Sequence, residues 1–332
     1  MTGMKYYVAG HGPAGEVYSL DKLVCVFHLH SFSREQNGGQ RLLNAIAARM
    51  LLHFDHWQSW KIGTYRDQFS IKCPGGESFF LGVGLNGGGL PDNTARIEFN
   101  PNKVGDTWEL QSVYNACWEI SGGQITIKQY DLAIDLPERR ENVTLEKDGR
   151  LYEERRRSDA DRTQYLGQRN APGRCKLYNK QLETGLPEPL TRLELTLAFE
   201  DSAPEVVAKK LPRVTVSAPA QTDMELPRLN DTDLFILTTL AREPDRLCEL
   251  GRRKRETLRP WLDLVSRPVT FDRVAYGEVW RALLDFLAPM DRTAWTPYDE
   301  AFTTVEKLLP DAPEWMRRAT QDGQPKLTEG GR

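Results

Sequence analysis

The chain has 332 residues, a net charge of −3 and no apolar run long enough to cross a bilayer. These values exclude an integral membrane protein and a uniformly basic nucleic-acid-binding protein. Five scattered cysteines without a CxxC pair favour reduced thiols and a cytoplasmic location over a disulfide framework or a zinc ribbon. The length predicts about two domains.

The first half of the chain predicts strands separated by two helices. Residues 40–54 have the apolar spacing of a helix, and the sequence from Asp106 to Glu109 is a capping box that opens a second helix. That helix should end near Gly122 and Gly123. The predicted strands are residues 22–30, 77–85, 95–100 and 125–135, with a glycine-rich turn at 86–89.

The second half begins with a charged loop, residues 137–162, and continues with three strands over 163–168, 174–180 and 191–199. A proline-punctuated linker follows, and the chain then becomes helical. The predicted helices are 233–242, 245–265 with a kink or interruption at Pro260, and 271–287.

Together these elements predict an α+β fold with a mostly antiparallel central sheet, flanking helices and a helical C-terminal region. We expect an α+β domain over residues 1–215, a helical region over 216–310 and a flexible tail over 311–332.

Tyrosines, basic residues and carboxylates occupy alternate positions of these strands, so they share a face opposite the apolar residues. Tyr178 has Arg174, Lys176 and Lys180 on its face, and cations of this kind can stabilise a phenolate and an attacked phosphate. Tyr165 is a competing candidate nucleophile. The alternative for Tyr178 is an ordinary tyrosine of an amphipathic strand.

Five carboxylates accompany these residues, and oxygen ligands of this type suit Mg²⁺ or Mn²⁺. The alternative is an ion-pair network with Arg96 and Arg192 that ties the strands together. The candidate metal ligands are Glu98, Asp131, Glu183, Asp135 and Glu194.

Other patterns are weaker. Between Arg139 and Lys180 twelve basic and seven acidic residues leave a local charge of +5, which suits a phosphate-binding surface or a solvated loop. A basic run at 251–255 has the same two interpretations. Residues 82–87 match GxGxxG, but a strand is predicted to follow instead of a helix, so a hairpin is indicated. His28 and His30 could face a metal or simply lie on an edge strand.

At these residues the chain resembles the Rep_trans family of rolling-circle plasmid replication initiators. The matching segments are RIEFNPNK (96–103), YDLAID (130–135), TQYLG (163–167), LYNKQLE (177–183) and RLEL (192–195), in the family's order. Tyr130 stands where the family usually has arginine, and His28 and His30 have no assigned counterpart.

The resemblance implies a nicking-enzyme-like fold and places Tyr178 at the nicking tyrosine. It implies a bacterial cytoplasmic homodimer that binds a double-stranded origin, nicks an extruded hairpin and leaves a 5′-phosphotyrosine and a 3′-hydroxyl primer, with a host helicase as partner. Glu98 and Asp131 would be the first metal ligands, with Glu183, Asp135 and Glu194 in reserve. The phosphate-binding residues would be Arg96, Arg169, Arg174, Lys176, Lys180 and Arg192.

Two alternatives stay open on the sequence. One is a conjugative relaxase with the same chemistry at a transfer origin. The other is a DNA-binding regulator that has kept the fold but does not cleave.

Overall fold

The structure is a computed structural model, and it describes residues 6–30, 39, 42–43, 45–46, 57–60, 65–85, 93–169, 171–217, 229–242 and 244–287. The chain forms two units. We call residues 1–21 with 129–282 the Tyr178 unit, and residues 22–128 with 283–332 the Glu98 unit. The domain boundaries expected at residues 215 and 310 stay predictions, and the predicted tail lies outside the described residues.

The sheet of the Glu98 unit is antiparallel. It includes the part of β2 (Val17–His28) from Lys22 onward. In β6 (Thr94–Phe99) buried and half-buried residues alternate, as the sequence predicts. The strands of this unit, in sheet order, are β3 (Trp57–Trp60), β4 (Tyr65–Lys72), β5 (Ser78–Leu85), β6 (Thr94–Phe99) and β2 (Val17–His28).

Gly82 explains part of the GxGxxG match. It lies inside β5, and a Cβ built on it would lie 2.6 Å from Cγ of Tyr65 on the neighbouring strand. The next described element is β6, a strand that pairs antiparallel with β5. The glycine therefore makes room for an aromatic ring, and the arrangement is not that of a dinucleotide-binding turn. The predicted turn at 86–89 lies outside the described residues.

Two helices follow β6 in the Glu98 unit. The side chain of Asn100 accepts hydrogen bonds from the first turn of α1 (Pro101–Val104), and α2 spans Trp108–Ile120. The N-cap of α2 is Thr107, but its hydroxyl donates to the Cys73 sulfur at 3.4 Å instead of capping the helix. The helix is therefore where the sequence predicts it, whereas the predicted capping box is wrong.

Helix α2 packs on its own sheet. Val113 and Ala116 are fully buried, and the rings of Tyr114 and Phe27 meet edge to face with centroids 5.5 Å apart. Of the earlier predicted helix at 40–54, Leu42, Leu43, Ala45 and Ile46 are helical and buried. The remaining residues of that segment fall almost wholly outside the described part.

The Tyr178 unit has its own antiparallel row of strands. Short strand β1 (Ala9–His11) pairs with the first residues of β2. Strand β7 (Ile125–Leu136) belongs to this unit from Gln129 onward. In sheet order the strands are β7 (Ile125–Leu136), β12 (Thr191–Ala198), β11 (Cys175–Asn179), β10 (Arg162–Leu166) and β9 (Tyr152–Arg156).

Two segments predicted to lack regular structure contain strands. The charged loop at 137–162 holds β8 (Val143–Leu145) and β9, and the proline-rich linker holds α4 (Pro204–Lys210) and β13 (Val214–Ser217). Strands β8, β13 and β14 (Ser266–Pro268) form a small second sheet. The buried Arg140 donates to the Val143 carbonyl at 2.5 Å and to Gln164 Oε1 at 2.8 Å, which joins this segment to β10.

The described C-terminal residues, 229–242 and 244–287, are mainly helical, as predicted. Helix α5 spans Asp231–Arg242, a 3₁₀ segment covers Pro244–Glu249, α6 spans Arg252–Val265 and α7 spans Arg273–Leu287. The predicted helix at 245–265 thus divides near residue 250, and it continues through the exposed Pro260. A buried cluster joins α5 to α6 through Leu237, Leu240, Leu258 and Leu262.

Helix α7 packs on the sheet of the Tyr178 unit. The hydroxyls of Tyr130 and Tyr276 are 2.9 Å apart, and Trp280 meets the Tyr130 ring edge to face at 5.1 Å. Tyr130, the position at which the resembled family has arginine, is therefore a core residue. The fold is α+β with antiparallel sheet flanked by helices, which confirms the predicted class. Among the described residues no helix is long and apolar enough to span a membrane.

Candidate functional site

Tyr178 lies on the third strand of the Tyr178 unit, on a face that three strands build together. It pairs across β11 and β12 with Arg192, which in turn pairs with Asp135 on β7. Lys176 pairs with Glu194 in the same way. Since paired residues point to the same face of a sheet, the alternation predicted from the sequence does bring these side chains together.

The phenol of Tyr178 is surrounded by charged groups. Its oxygen lies 2.6 Å from Glu194 Oε1 and 3.1 Å from Glu183 Oε2. A phenol has one proton to donate, and the shorter contact assigns that proton to Glu194. The ammonium of Lys180 donates to the phenol oxygen at 3.4 Å and to Glu183 Oε2 at 2.5 Å.

A single helical turn after β11 positions Lys180 and Glu183. The side chain of Asn179 accepts from the Leu182 amide, so the chain turns at once into helix α3 (Lys180–Thr184). Residues three apart lie on the same side of a helix, which brings Glu183 back towards Lys180 and Tyr178. Gly185, with φ of 70°, ends the turn in the left-handed conformation that glycine favours.

Burial controls the protonation of these groups. Tyr178 is 6% exposed, and burial together with the charge of Glu194 holds its pKa well above the ordinary value for tyrosine. Burial also raises the pKa of Glu194, against the lowering effect of Lys176. Each shift favours the neutral, protonated form of its own group, and a carboxylate of raised pKa is a stronger base once ionised.

Lys176 is the cation that covers the site. Its ammonium lies 3.7 Å from the centroid of the Tyr178 ring and 3.6 Å from Glu194 Oε2. About a third of the side chain is exposed, 33%, compared with 1% for Lys180. Lys176 is therefore the accessible cation next to Tyr178, whereas Lys180 is an internal one.

Arg192 lies beside Tyr178, on the neighbouring strand, in a buried ion-pair network. It makes two bonds to Asp135, at 2.6 and 2.7 Å, and one to Asp21 at 2.7 Å. Tyr6 donates to the same Asp135 carboxylate at 2.6 Å. With only 1% of its side chain exposed, Arg192 is engaged with carboxylates, an environment different from the phosphate-facing one expected for it.

The five predicted metal ligands have different environments. Glu98, in the Glu98 unit, is bound by Lys22 at 2.5 Å and Arg96 at 2.7 Å, and these cations lower its pKa although burial alone would raise it. Asp135 is occupied by Arg192, and Asp131 lies on β7 opposite Thr196.

Within the described ranges, no three His, Cys, Asp or Glu side chains are grouped so as to hold a metal ion. The pair closest to the required chemistry is Glu183 and Glu194, but both contact the Tyr178 phenol. Among the described residues, the predicted ligands are therefore not grouped as three or more ligands of one ion. His28 and His30 are both exposed, and His30 lies beyond the end of β2.

The remaining predicted phosphate-binding residues lie near the exposed side of the sheet or in the other unit. Arg169 is exposed and Arg174 is half-buried at the start of β11. Tyr165 pairs with Lys176 across β10 and β11, which puts its ring on the same face as Tyr178. Arg96 is in the Glu98 unit, where it binds Glu98.

Two members of the Arg192 network are not predicted from the sequence. Tyr6 and Asp21 reach it from the N-terminal segment, over 171 positions of sequence in the case of Asp21. Neither residue lies in a sequence motif.

Comparison with known proteins adds little to this geometry. No protein-family model matches the chain, and no curated protein matches it. The solved structure of a rolling circle replication initiator protein from Geobacillus stearothermophilus aligns with 69% of this chain and 97% of its own, at 13% identity and a TM-score of 0.36. A likeness of this size assigns neither fold nor chemistry, so the site is interpreted from its own residues.

Proposed function

We propose that this chain is a replication initiator that nicks and rejoins a DNA strand through Tyr178. One observation carries the proposal: the Tyr178 phenol lies 2.6 Å from a carboxylate that can accept its proton, beside a partly exposed lysine that can meet a phosphate. The ordered sequence motifs of rolling-circle initiators at these residues support the same reaction.

Proton transfer starts the proposed reaction. Tyrosine is a weak nucleophile at neutral pH, and here burial raises its pKa further. Glu194 accepts the phenol proton as the oxygen attacks the phosphorus, so that a free phenolate never has to accumulate. Glu183 already accepts from Lys180, so it is the weaker base of the two.

The attack forms a bond between the Tyr178 oxygen and phosphorus and breaks the bond from phosphorus to the 3′ oxygen. The products are a 5′-phosphotyrosine and a 3′-hydroxyl, whose proton comes from Lys180 or from water. The 3′-hydroxyl can prime synthesis. Attack by a 3′-hydroxyl on the phosphotyrosine reverses these bond changes and rejoins the strand.

Cations would hold the phosphate during the reaction. Lys176 covers the Tyr178 ring and is partly exposed, so an approaching phosphate meets it first. Arg174 directly precedes β11, the strand that carries Lys176, and the exposed Arg169 lies in the turn before Arg174. The buried Arg192 and Lys180 act differently: they fix the positions and charges of the groups around Tyr178.

Further properties are proposed from the sequence resemblance alone. These are homodimer formation, binding of a double-stranded origin with a hairpin nick site, recruitment of a host helicase, a bacterial cytoplasmic location and dependence on Mg²⁺ or Mn²⁺. The steps above use only the chain's own residues, because the described carboxylates are not arranged as a metal site.

A second candidate is a DNA-binding regulator that does not cleave. It is favoured by the burial of Tyr178, which is 6% exposed and would have to be uncovered by movement of Lys176 before a phosphate could reach it.

Conversion of supercoiled DNA to open circles separates the two candidates. We propose to incubate the protein with supercoiled plasmid carrying the DNA that flanks its own gene, with Mg²⁺ or Mn²⁺. Wild-type protein should produce open circles, Tyr178→Phe should bind without nicking, and Tyr165→Phe should nick. Binding without open circles by the wild type would support the regulator, and nicking by Tyr178→Phe would remove Tyr178 as nucleophile.

A further inference from the structure

Tyr165, the rival candidate nucleophile, lies in a setting that suits another role. Its hydroxyl makes no hydrogen bond within the described part of the chain, and no carboxylate contacts it as Glu194 contacts Tyr178. Instead, two guanidinium groups lie at its ring, with Cζ of Arg174 at 4.8 Å and Cζ of Arg155 at 5.6 Å from the centroid.

The strand register puts this ring next to the candidate nucleophile. Tyr165 on β10 is directly opposite Lys176 on β11, and Tyr178 is two residues beyond Lys176 on the same face. Diagonal neighbours of this kind are about 7–8 Å apart across a sheet. A nucleic-acid strand whose phosphate reaches Tyr178 therefore has an adjacent nucleotide within reach of Tyr165.

Cations and aromatic rings share this face. Arg155 lies on the edge strand β9, Tyr165 lies on β10, and Lys176 and Tyr178 lie on β11, which Arg174 directly precedes. Arg174 makes no ion pair among the described residues, and the Lys176 ammonium is partly exposed. Glu153 opposes Tyr165 on β9, but Arg155 neutralises it at 2.8 Å. The exposed edge of the face is thus complementary to a negatively charged strand.

Accessibility distinguishes the two arginines at the ring. The Arg155 side chain is 69% exposed, whereas Arg174 is half-buried and closer to the ring. Arg155 can therefore move outwards and let a flat group enter between its guanidinium and the ring. Bases stack both on aromatic rings and on guanidinium planes, which is how proteins hold single strands without reading a sequence.

We propose that Tyr165 and Arg155 form a stacking platform for one unpaired base of the DNA strand that reaches Tyr178, with Arg174 and Lys176 holding the flanking phosphates. The partner is single-stranded DNA, because a base in a duplex is already stacked on both faces. The platform rests on the proposed nicking function but does not itself require cleavage.

Equilibrium binding tests the platform. The probe is a fluorescent single-stranded oligonucleotide of thymidines, measured by anisotropy with protein carrying Tyr178→Phe so that cleavage cannot interfere. Adding Tyr165→Leu keeps the apolar bulk but removes the aromatic face, and it should weaken binding about tenfold, since stacking of one base is worth about that much. Tyr165→Phe should bind within about twofold of the parent protein.

Arg273→Ala is the matched control for charge. Arg273 lies on α7 with a side chain 61% exposed, and it pairs with Glu205 as Arg155 pairs with Glu153, so its loss changes the net charge as Arg155→Ala does but leaves the platform intact. Arg155→Ala should weaken binding several-fold more than Arg273→Ala. Unfolding temperatures of all variants should agree with that of the parent protein.

Three results would overturn the platform: unchanged binding by Tyr165→Leu, equal losses for Arg155→Ala and Arg273→Ala, or equal affinity for a duplex of the same length. These outcomes are separate from those of the nicking assay. Nicking by wild-type protein with unchanged binding by Tyr165→Leu leaves the function and removes the platform. Binding that depends on Tyr165 without any nicking would support the platform and contradict the nicking function.

Discussion

Replacing Glu194 by glutamine tests the proposed proton transfer. Glu194 Oε1 lies 2.6 Å from the Tyr178 phenol oxygen, and a glutamine side-chain oxygen can keep that contact without accepting the proton. Loss of a general base typically costs a factor of about 10²–10⁴ in rate. We expect Glu194→Gln to nick about 10²–10⁴ times more slowly, with little change in DNA affinity.

The matched variant is Glu183→Gln, which changes the same chemical group in the same site. Glu183 is 3.1 Å from the phenol and is bound by Lys180 at 2.5 Å, which lowers its pKa although burial alone would raise it. A weaker, already occupied base should matter less, so Glu183→Gln should lose at most about tenfold. Single-turnover nicking rates on one plasmid substrate, measured for both variants across pH, provide the comparison.

The pH dependence has a definite sign. Glu194 must be ionised to accept the proton, so the wild-type rate should rise with pH through the raised pKa of Glu194 and then level off. Glu194→Gln should lose that rise. Equal nicking rates for wild type and Glu194→Gln, or an identical pH profile, would show that Glu194 does not act as the base.

Folding stability gives an independent readout of the same residue. Because burial raises the Glu194 pKa in the folded state, that state binds the proton more tightly than the unfolded chain does. The corresponding stability is present at low pH and is lost as pH rises from about 4.3, the unfolded value, through the folded pKa. Urea unfolding of Glu194→Gln should lack this decline.

Two further predictions concern the buried network and the metal. Asp135→Asn leaves the buried Arg192 short of its main partner and should lower the free energy of unfolding by about 3–5 kcal/mol in urea titrations. Glu256→Gln, which breaks the exposed pair with Arg252, should cost at most about 1 kcal/mol; equal losses would contradict the buried-pair assignment. The sequence resemblance implies dependence on a divalent ion, so EDTA should stop nicking and Mg²⁺ or Mn²⁺ should restore it. Nicking that persists in EDTA would show that the reaction does not depend on such an ion.

The sequence predicts the site face well because strand alternation is a strict geometric rule. Spacing alone places Arg192 and Glu194 on one face of their strand, and it places Tyr178 on the same face as Lys176 of another strand. What spacing cannot give is the register between strands, which decides that Tyr178 is opposite Arg192 and that Lys176 is opposite Glu194. Register depends on contacts between distant segments, so the phenol–carboxylate contact emerges only from the structure.

The burial of individual charged side chains also cannot be predicted from the sequence. Lys180 and Arg192 were predicted to face phosphates, yet each side chain is 1% exposed. Charge in a sequence indicates solvent only on average, and here Asp135, Asp21 and Glu183 compensate the buried cations.

The boundaries of helices and strands also depend on contacts with distant segments, which the sequence does not give. The segment at 137–162 was predicted as a loop because charges dominate it, but its strand β9 pairs with β10 at the sheet edge, where charged residues are tolerated on both faces. The capping box predicted from Asp106 to Glu109 is wrong because the helix begins one residue later, with Thr107 as the N-cap, and the Thr107 hydroxyl donates to the Cys73 sulfur.

The central claim is a covalent bond between DNA and the oxygen of Tyr178, and mass spectrometry of the trapped complex tests it most directly. Wild-type protein would be incubated with the supercoiled plasmid of the nicking assay, and the reaction would be stopped in detergent and digested with nuclease and protease. We expect a nucleotide adduct on the peptide that contains Tyr178. An adduct on Tyr165 or Tyr6, or no protein–DNA adduct while open circles accumulate, would contradict it.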